Sequence, residues 1–178
     1  MPVSFAFVDE IIKVREDLHG GKPGAPQKMA DGSYEGRALN RACVVMLTSA
    51  MQAYVGEVFL ECSEKAFGRV LSDTDLKDYR QTWSRWGNPS DANIIGLFRR
   101  LGIQDVFDGL SWQGQSTETL KTTLNTMNQV RNKIAHGQDI QVNGKHFSLT
   151  LSQVRRWRQI CKTFSKKFGD HALDKIKR

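Results

Sequence analysis

From about Arg37 to Ala66 the residues Leu39, Cys43, Val44, Leu47, Met51, Tyr54, Val55, Val58 and Phe59 recur three and four positions apart. That spacing returns them to one side of a helix of 3.6 residues per turn, whereas a half-buried strand needs strict alternation. A helix with so long an apolar face must be covered by other elements, so the chain is expected to build a bundle around it. Within it, the stretch from Ala42 to Leu60 is interrupted by Thr48, Ser49, Gln52, Gly56 and Glu57, which reads as too polar for a membrane span. A chain of 178 residues suits one domain, spanning 1–178.

The flanking pattern supplies the other helices. Val3, Phe7, Val8, Ile11, Ile12, Val14 and Leu18 predict a first helix ending near His19 and Gly20. The Gly- and Pro-rich segment 20–36 cannot continue it and reads as a mobile loop. Ser72 with Asp75 is a plausible helix start for Leu76, Tyr79 and Trp83, and Asn88-Pro89 reads as the cap and first residue of a helix through Leu101, stopped by Gly102. Ser116 opens a helix with Leu120, Leu124, Met127, Val130 and Ile134 on one side, ending at Gly137. Asn143-Gly144 between two short β-prone runs predicts a hairpin, and Thr150 with Gln153 opens a last helix carrying Val154, Trp157, Ile160, Cys161, Phe164 and Phe168. The expected fold class is all-α, a helical bundle with one small β-hairpin before the last helix.

Charge narrows the partners. Of a net +7, all seven surplus charges lie from Arg155 onward, where nine Lys or Arg face only Asp170 and Asp174. One-sided basicity of this kind favours a polyanion, because each neutralised phosphate releases counterions. A solvated helix with a basic tail over 169–178 would have the same composition. Cys43, Cys62 and Cys161 are odd in number and sit in helical patterns without metal-ligand spacing, so they read as small apolar side chains. His19, His146 and His171 lack paired ligands, and no metal or cofactor is expected. Trp83, Trp86, Trp112 and Trp157 read as core rather than as base-stacking platforms. The N-terminus lacks a basic start and meets Asp9 and Glu10 early, so no secretory signal is expected and the expected compartment is the cytoplasm.

One run carries chemistry: Arg131-Asn132-Lys133-Ile134-Ala135-His136. An imidazole moves protons near neutral pH, and a guanidinium stabilises charge growing on a phosphoryl group. Together they can cleave RNA through its 2′-hydroxyl without a metal, leaving a 2′,3′-cyclic phosphate. Five residues turn an ideal helix by about 140°, so Arg131 and His136 do not share a face, while Asn132 and His136 nearly do. A site shared across a two-fold axis would unite them. The same residues before Gly137 are also an ordinary basic helix end.

RNKIAHG resembles the Arg-x4-6-His motif of HEPN domains. The long helix ALNRACVVMLTSAMQAYVGEVF, the segment NPSDANIIGLFRRLGI, the motif helix and the final helix follow in an order most similar to the RiboL-PSP-type HEPN subgroup, over roughly Leu39 to Phe168. The resemblance implies an HEPN-like bundle, a homodimer, and metal-independent endoribonuclease activity in a toxin–antitoxin or antiphage setting. The implied partners are RNA, such as a tRNA loop, and an antitoxin protein, with no membrane. By residue match the catalytic candidates are Arg131, Asn132 and His136; Lys133, Arg155, Arg156 and Arg158 are the substrate-binding candidates. Members of the subgroup often carry an acidic residue in the long early helix; here Gln52 stands about there, with Glu57 further on. The competing expectations are a non-catalytic helical dimerisation or RNA-binding module, and a nucleotidyl-transfer partner that binds or is modified by a nucleotide.

Overall fold

The central helix of the computed structural model is α2, Arg37–Phe67. Residues 3–18, 27–30 and 34–176 are described. Around α2 lie α1 (Ala6–Leu18), α3 (Asp73–Asp78) followed by a π turn at Tyr79–Trp83, α4 (Asp91–Arg99), α5 (Thr117–Ala135), the two-residue strands β1 (Gln141–Val142) and β2 (Lys145–His146), and α6 (Leu151–Asp174). The fold is all-α, with one antiparallel hairpin between α5 and α6. Its turn places Asn143 and Gly144 at φ 50° and 76°, the left-handed pair that a type I′ turn requires.

α2 is enclosed by α1, α5 and α6. It is long and apolar enough to cross a membrane, yet 56% of its most apolar stretch is buried inside the bundle. Its buried hydroxyls stay satisfied within the helix: Thr48 Oγ1 donates to the Val44 carbonyl at 2.9 Å and Ser63 Oγ to the Phe59 carbonyl at 2.8 Å. Tyr54 crosses to α6, donating to the Ser165 carbonyl at 2.8 Å and accepting from the Gly169 N–H at 3.1 Å. Beside it an aromatic cluster fills the core, with Phe164 and Phe168 stacked at 4.5 Å and Phe98 edge-on to Phe168 at 5.5 Å. All three cysteines are buried, and burial pushes their thiols up, Cys43 to about 11 and Cys62 and Cys161 to about 12. Burial in apolar surroundings disfavours the thiolate, the reactive form.

Several local expectations are corrected. On α1, Phe7, Val14 and Leu18 are exposed, and the buried positions are Val8 and Arg15, with Phe5 buried just before the helix. The face that meets α2 is therefore offset from the apolar stripe, because a basic residue holds one of its inward positions. α4 is capped two residues later than Asn88: Ser90 is its cap, accepting from the Asn93 N–H at 3.2 Å, and the helix ends at Arg99. α6 continues to Asp174, with Ala172 and Ile176 buried, so the first part of the stretch read as a basic tail belongs to the helix. Much of the segment 20–36 read as a mobile loop lies outside the described residues. Trp157 is a core residue, stacked on Phe147, whereas Trp83, Trp86 and Trp112 are only partly buried at the edge of the core.

Candidate functional site

The C-terminal end of α5 carries the Arg131 to His136 run. Four apolar positions, Leu120, Leu124, Met127 and Val130, press α5 against the core and turn the opposite side outward. The helix then stops in a Schellman arrangement: the Gly137 N–H donates to the Ile134 carbonyl at 3.1 Å and the Gln138 N–H to the Lys133 carbonyl at 2.9 Å, with Gly137 at φ 64°. This termination makes His136 the cap residue, at φ −94° and ψ 8°, and leaves its side chain exposed. Arg131 and Asn132 are half-buried one turn earlier. Thus an imidazole stands in solvent at the carbonyl end of the helix.

Asn132 is held in place from outside its own helix. Asn88 Nδ2 donates to Asn132 Oδ1 at 2.8 Å, and Arg131 Nη1 reaches the same oxygen at 3.4 Å. The segment between the π turn and α4 therefore braces the motif. Asn88 itself is fixed because its carbonyl accepts from Asn93 Nδ2 at 2.8 Å and from the Ser90 N–H at 2.7 Å. Further up the helix the Asp91 N–H donates to Asn125 Oδ1 at 3.3 Å. Asn125, Asn128 and Asn132 thus form one polar row, three and four residues apart, and Asn128 Oδ1 is buried without a hydrogen-bond partner among the described residues. Asn88 was read as a helix cap; the spacing of the three asparagines on α5 was the available signal that this side needs a polar neighbour.

The other site candidates are dispersed. Lys133 donates to Gln138 Oε1 at 3.0 Å and so caps the same helix end. Arg155 and Arg158 are engaged by α1: Arg155 Nε donates to Glu16 Oε1 at 3.1 Å, and Arg158 makes a two-point pair with Asp9 at 2.7 and 2.5 Å. Both guanidiniums, expected from the sequence to bind substrate, thus also tie α6 to α1. Arg156 is exposed and has no ion pair among the described residues. Gln52 and Glu57 line a cleft of about 370 Å³ between α2 and the segment after α3, together with Trp86, two residues before Asn88. Neither Arg131, Asn132 nor His136 lines that cleft.

A family model described as RiboL-PSP-HEPN matches residues 9–174. No curated protein and no solved structure matches the chain.

Proposed function

The chain belongs to the RiboL-PSP-HEPN family, and on that premise we propose that it is a metal-independent endoribonuclease that acts as a homodimer in a toxin–antitoxin or antiphage system. Membership itself points to an RNA-related role. The finer reading rests on one observation: His136 is exposed at the cap of α5 while Asn132, one turn back, is anchored by Asn88 beside Arg131.

In the proposed reaction the His136 imidazole takes the proton of a ribose 2′-hydroxyl, and the freed oxygen attacks the adjacent phosphorus. The bond to the 5′-oxygen breaks, that oxygen takes up a proton, and the products are a 2′,3′-cyclic phosphate and a 5′-hydroxyl end. Arg131 stabilises the charge gathered on the phosphoryl oxygens, and Asn132 orients the linkage. Arg131 and His136 lie about 140° apart around the helix, so a second copy of α5 placed across a two-fold axis completes the site. Lys133, Arg155, Arg156 and Arg158 contact phosphates, Arg156 being exposed and without an ion pair among the described residues. In this reading residues 1–178 act as one domain.

The test is incubation of the purified chain with mixed cellular RNA in the presence of a chelator, followed by mapping of the ends. Cyclic phosphate ends from wild type, lost in His136→Ala and Arg131→Ala variants that still melt normally, support the proposal. Intact RNA, or identical cutting by His136→Ala, overturns it. The bonds that Arg131 and Lys133 make within their own helix end favour a second reading, a non-catalytic dimerisation or RNA-binding module. Under it, His136→Ala lowers the melting temperature or weakens the dimer and no RNA end depends on it.

A further inference from the structure

Independently of the nuclease reading, we propose that the cleft between α2 and the segment after α3 receives an arginine side chain presented by a partner polypeptide. The cleft measures about 370 Å³, at the small end of the range for ligand sites, which suits one long side chain and is too little for a docked helix. Gln52, Glu57, Tyr79 and Trp86 line it, and no Lys or Arg does. In a chain of net charge +7 that is a local reversal of sign. Arg80 and Arg85, the cations of the same segment, are exposed and lie outside the lining.

The lining groups have no partners of their own. On this stretch of α2 the side-chain hydrogen bonds come from Thr48, Tyr54 and Ser63 on the buried side. Gln52, Glu57 and the Tyr79 hydroxyl make none among the described residues, and exposed Glu57 makes no ion pair there. Trp86 has neither a ring nor a cation against it among the described residues, although three positions earlier Trp83 carries the Arg100 guanidinium 5.0 Å from its ring centre. Gly56 keeps the floor open: it is buried in the middle of α2, and a Cβ there would lie 2.8 Å from the Tyr79 hydroxyl oxygen. The missing side chain lets Tyr79 come against α2 while its ring stacks on Phe59 at 5.9 Å. The π turn over Tyr79–Trp83, closed by the Ser84 N–H on the Tyr79 carbonyl at 2.8 Å, then carries the chain on to Trp86.

A carboxylate and two aromatic rings around one small opening match a guanidinium in three respects. Its plane stacks on an indole or phenol ring, its charge is drawn to the ring face, and its fork of N–H groups pairs with both carboxylate oxygens. The Gln52 carbonyl and the Tyr79 hydroxyl can accept from the N–H groups that remain. Ala53 and Leu60 also line the cleft and give the methylene stem an apolar surface. Glu57 and Ala53 are exposed, so the opening faces solvent and a polypeptide outside it can present the side chain. An ammonium fits less well, because it is a point charge with no plane to stack. A nucleobase stacks too, but leaves the Glu57 carboxylate without a positive partner.

The test is nuclear magnetic resonance of the full-length His136→Ala chain at low salt, which reads no cleavage and so stands or falls apart from the nuclease proposal. The probe is the blocked peptide acetyl-Gly-Arg-Gly-amide; its controls carry citrulline, nearly isosteric and uncharged, or lysine in place of the arginine. The indole N–H signal that disappears in Trp86→Phe identifies Trp86, and should that variant fail to fold, the Gly56 backbone amide reports in its place. The arginine peptide is expected to shift the signal saturably, the lysine peptide to bind severalfold more weakly, and the citrulline peptide at least tenfold more weakly. Glu57→Gln is expected to weaken binding at least tenfold, whereas replacing Glu118, an exposed carboxylate on α5, with Gln leaves it unchanged. No saturable shift, equal binding of either control peptide, or undiminished binding in Glu57→Gln overturns the proposal. So does a shift produced by single-stranded RNA and not by the peptide, or by protein concentration alone, which would seat a nucleobase or a second copy there.

Discussion

Asn88 and Asn132 are 44 residues apart in the chain and share one hydrogen bond of 2.8 Å, from the side-chain amide of the first to the side-chain oxygen of the second. That bond couples the entry to α4 with the helix bearing Arg131 and His136. Replacing Asn88 with Ala is expected to lower stability by about 1 kcal/mol, the usual worth of one partly buried hydrogen bond. Cleavage should fall by more than that loss explains, because Asn132 and Arg131 share the oxygen left unheld. Comparing kcat/KM with the melting temperature of Asn88→Ala checks this; equal kcat/KM in a folded variant would show the brace to be irrelevant to the reaction.

Gly137 ends α5 at φ 64°, and a Cβ there would meet nothing within 4 Å. Gly137→Ala therefore isolates the backbone cost of the left-handed cap, about 1 kcal/mol. Denaturant unfolding should register that loss. RNA cleavage should drop as well, since the conformation of residue 137 sets where the chain leaves His136.

The two-point pair of Arg158 with Asp9 holds α6 against α1, and Arg156 next to Trp157 points outward. Screening limits the exposed pair to about 1 kcal/mol or less, which a double-mutant cycle of Arg158→Ala and Asp9→Ala measures. RNA affinity should respond in the opposite order. Arg156→Ala is expected to weaken RNA binding and reduce its dependence on salt concentration, and Arg158→Ala to do so by less.

His171 supplies a pH signature. Burial first, and then the charge of Lys175, holds its pKa below the usual histidine value, and its Nε2 is buried without a partner among the described residues. The unfolded chain thus binds a proton more readily than the folded one between the lowered pKa and about 6.5, and stability rises with pH across that window. Acidification from neutrality should lower the melting temperature, and His171→Asn should flatten the slope. An unchanged slope in the variant would assign the effect elsewhere. Asp75, held down by Arg69, and Asp105, held down by Lys121, lose their contributions only at lower pH.

The helical bundle was legible because its cause is periodic. Leu47, Met51, Val55 and Phe59 recur at the pitch of a helix, Ser116 and Thr150 offer oxygens to exposed N–H groups, and Asn143-Gly144 accepts a turn that few other pairs tolerate. Such preferences act over a few residues, so the chain needs no partner to express them. The family resemblance was equally local, carried by a six-residue run and the order of helices, and the family match over residues 9–174 agrees with it.

What a one-dimensional pattern cannot express is which polar group meets which across the bundle. Asn88 looked like a helix cap until the placement of α4 beside α5 gave its amide a partner. The pairing of Arg155 with Glu16 and of Arg158 with Asp9 joins residues 139 and 149 positions apart and has no trace in the local pattern. Arg15 had no visible role before packing buried it against Gly36. The physical reason is common to all three: local propensity depends on neighbours in the chain, whereas the energy of a charge or an amide depends on what surrounds it after folding. The sequence by itself determined the helices, the hairpin and the motif; the tertiary structure decided which of the basic and amide side chains found partners within the bundle.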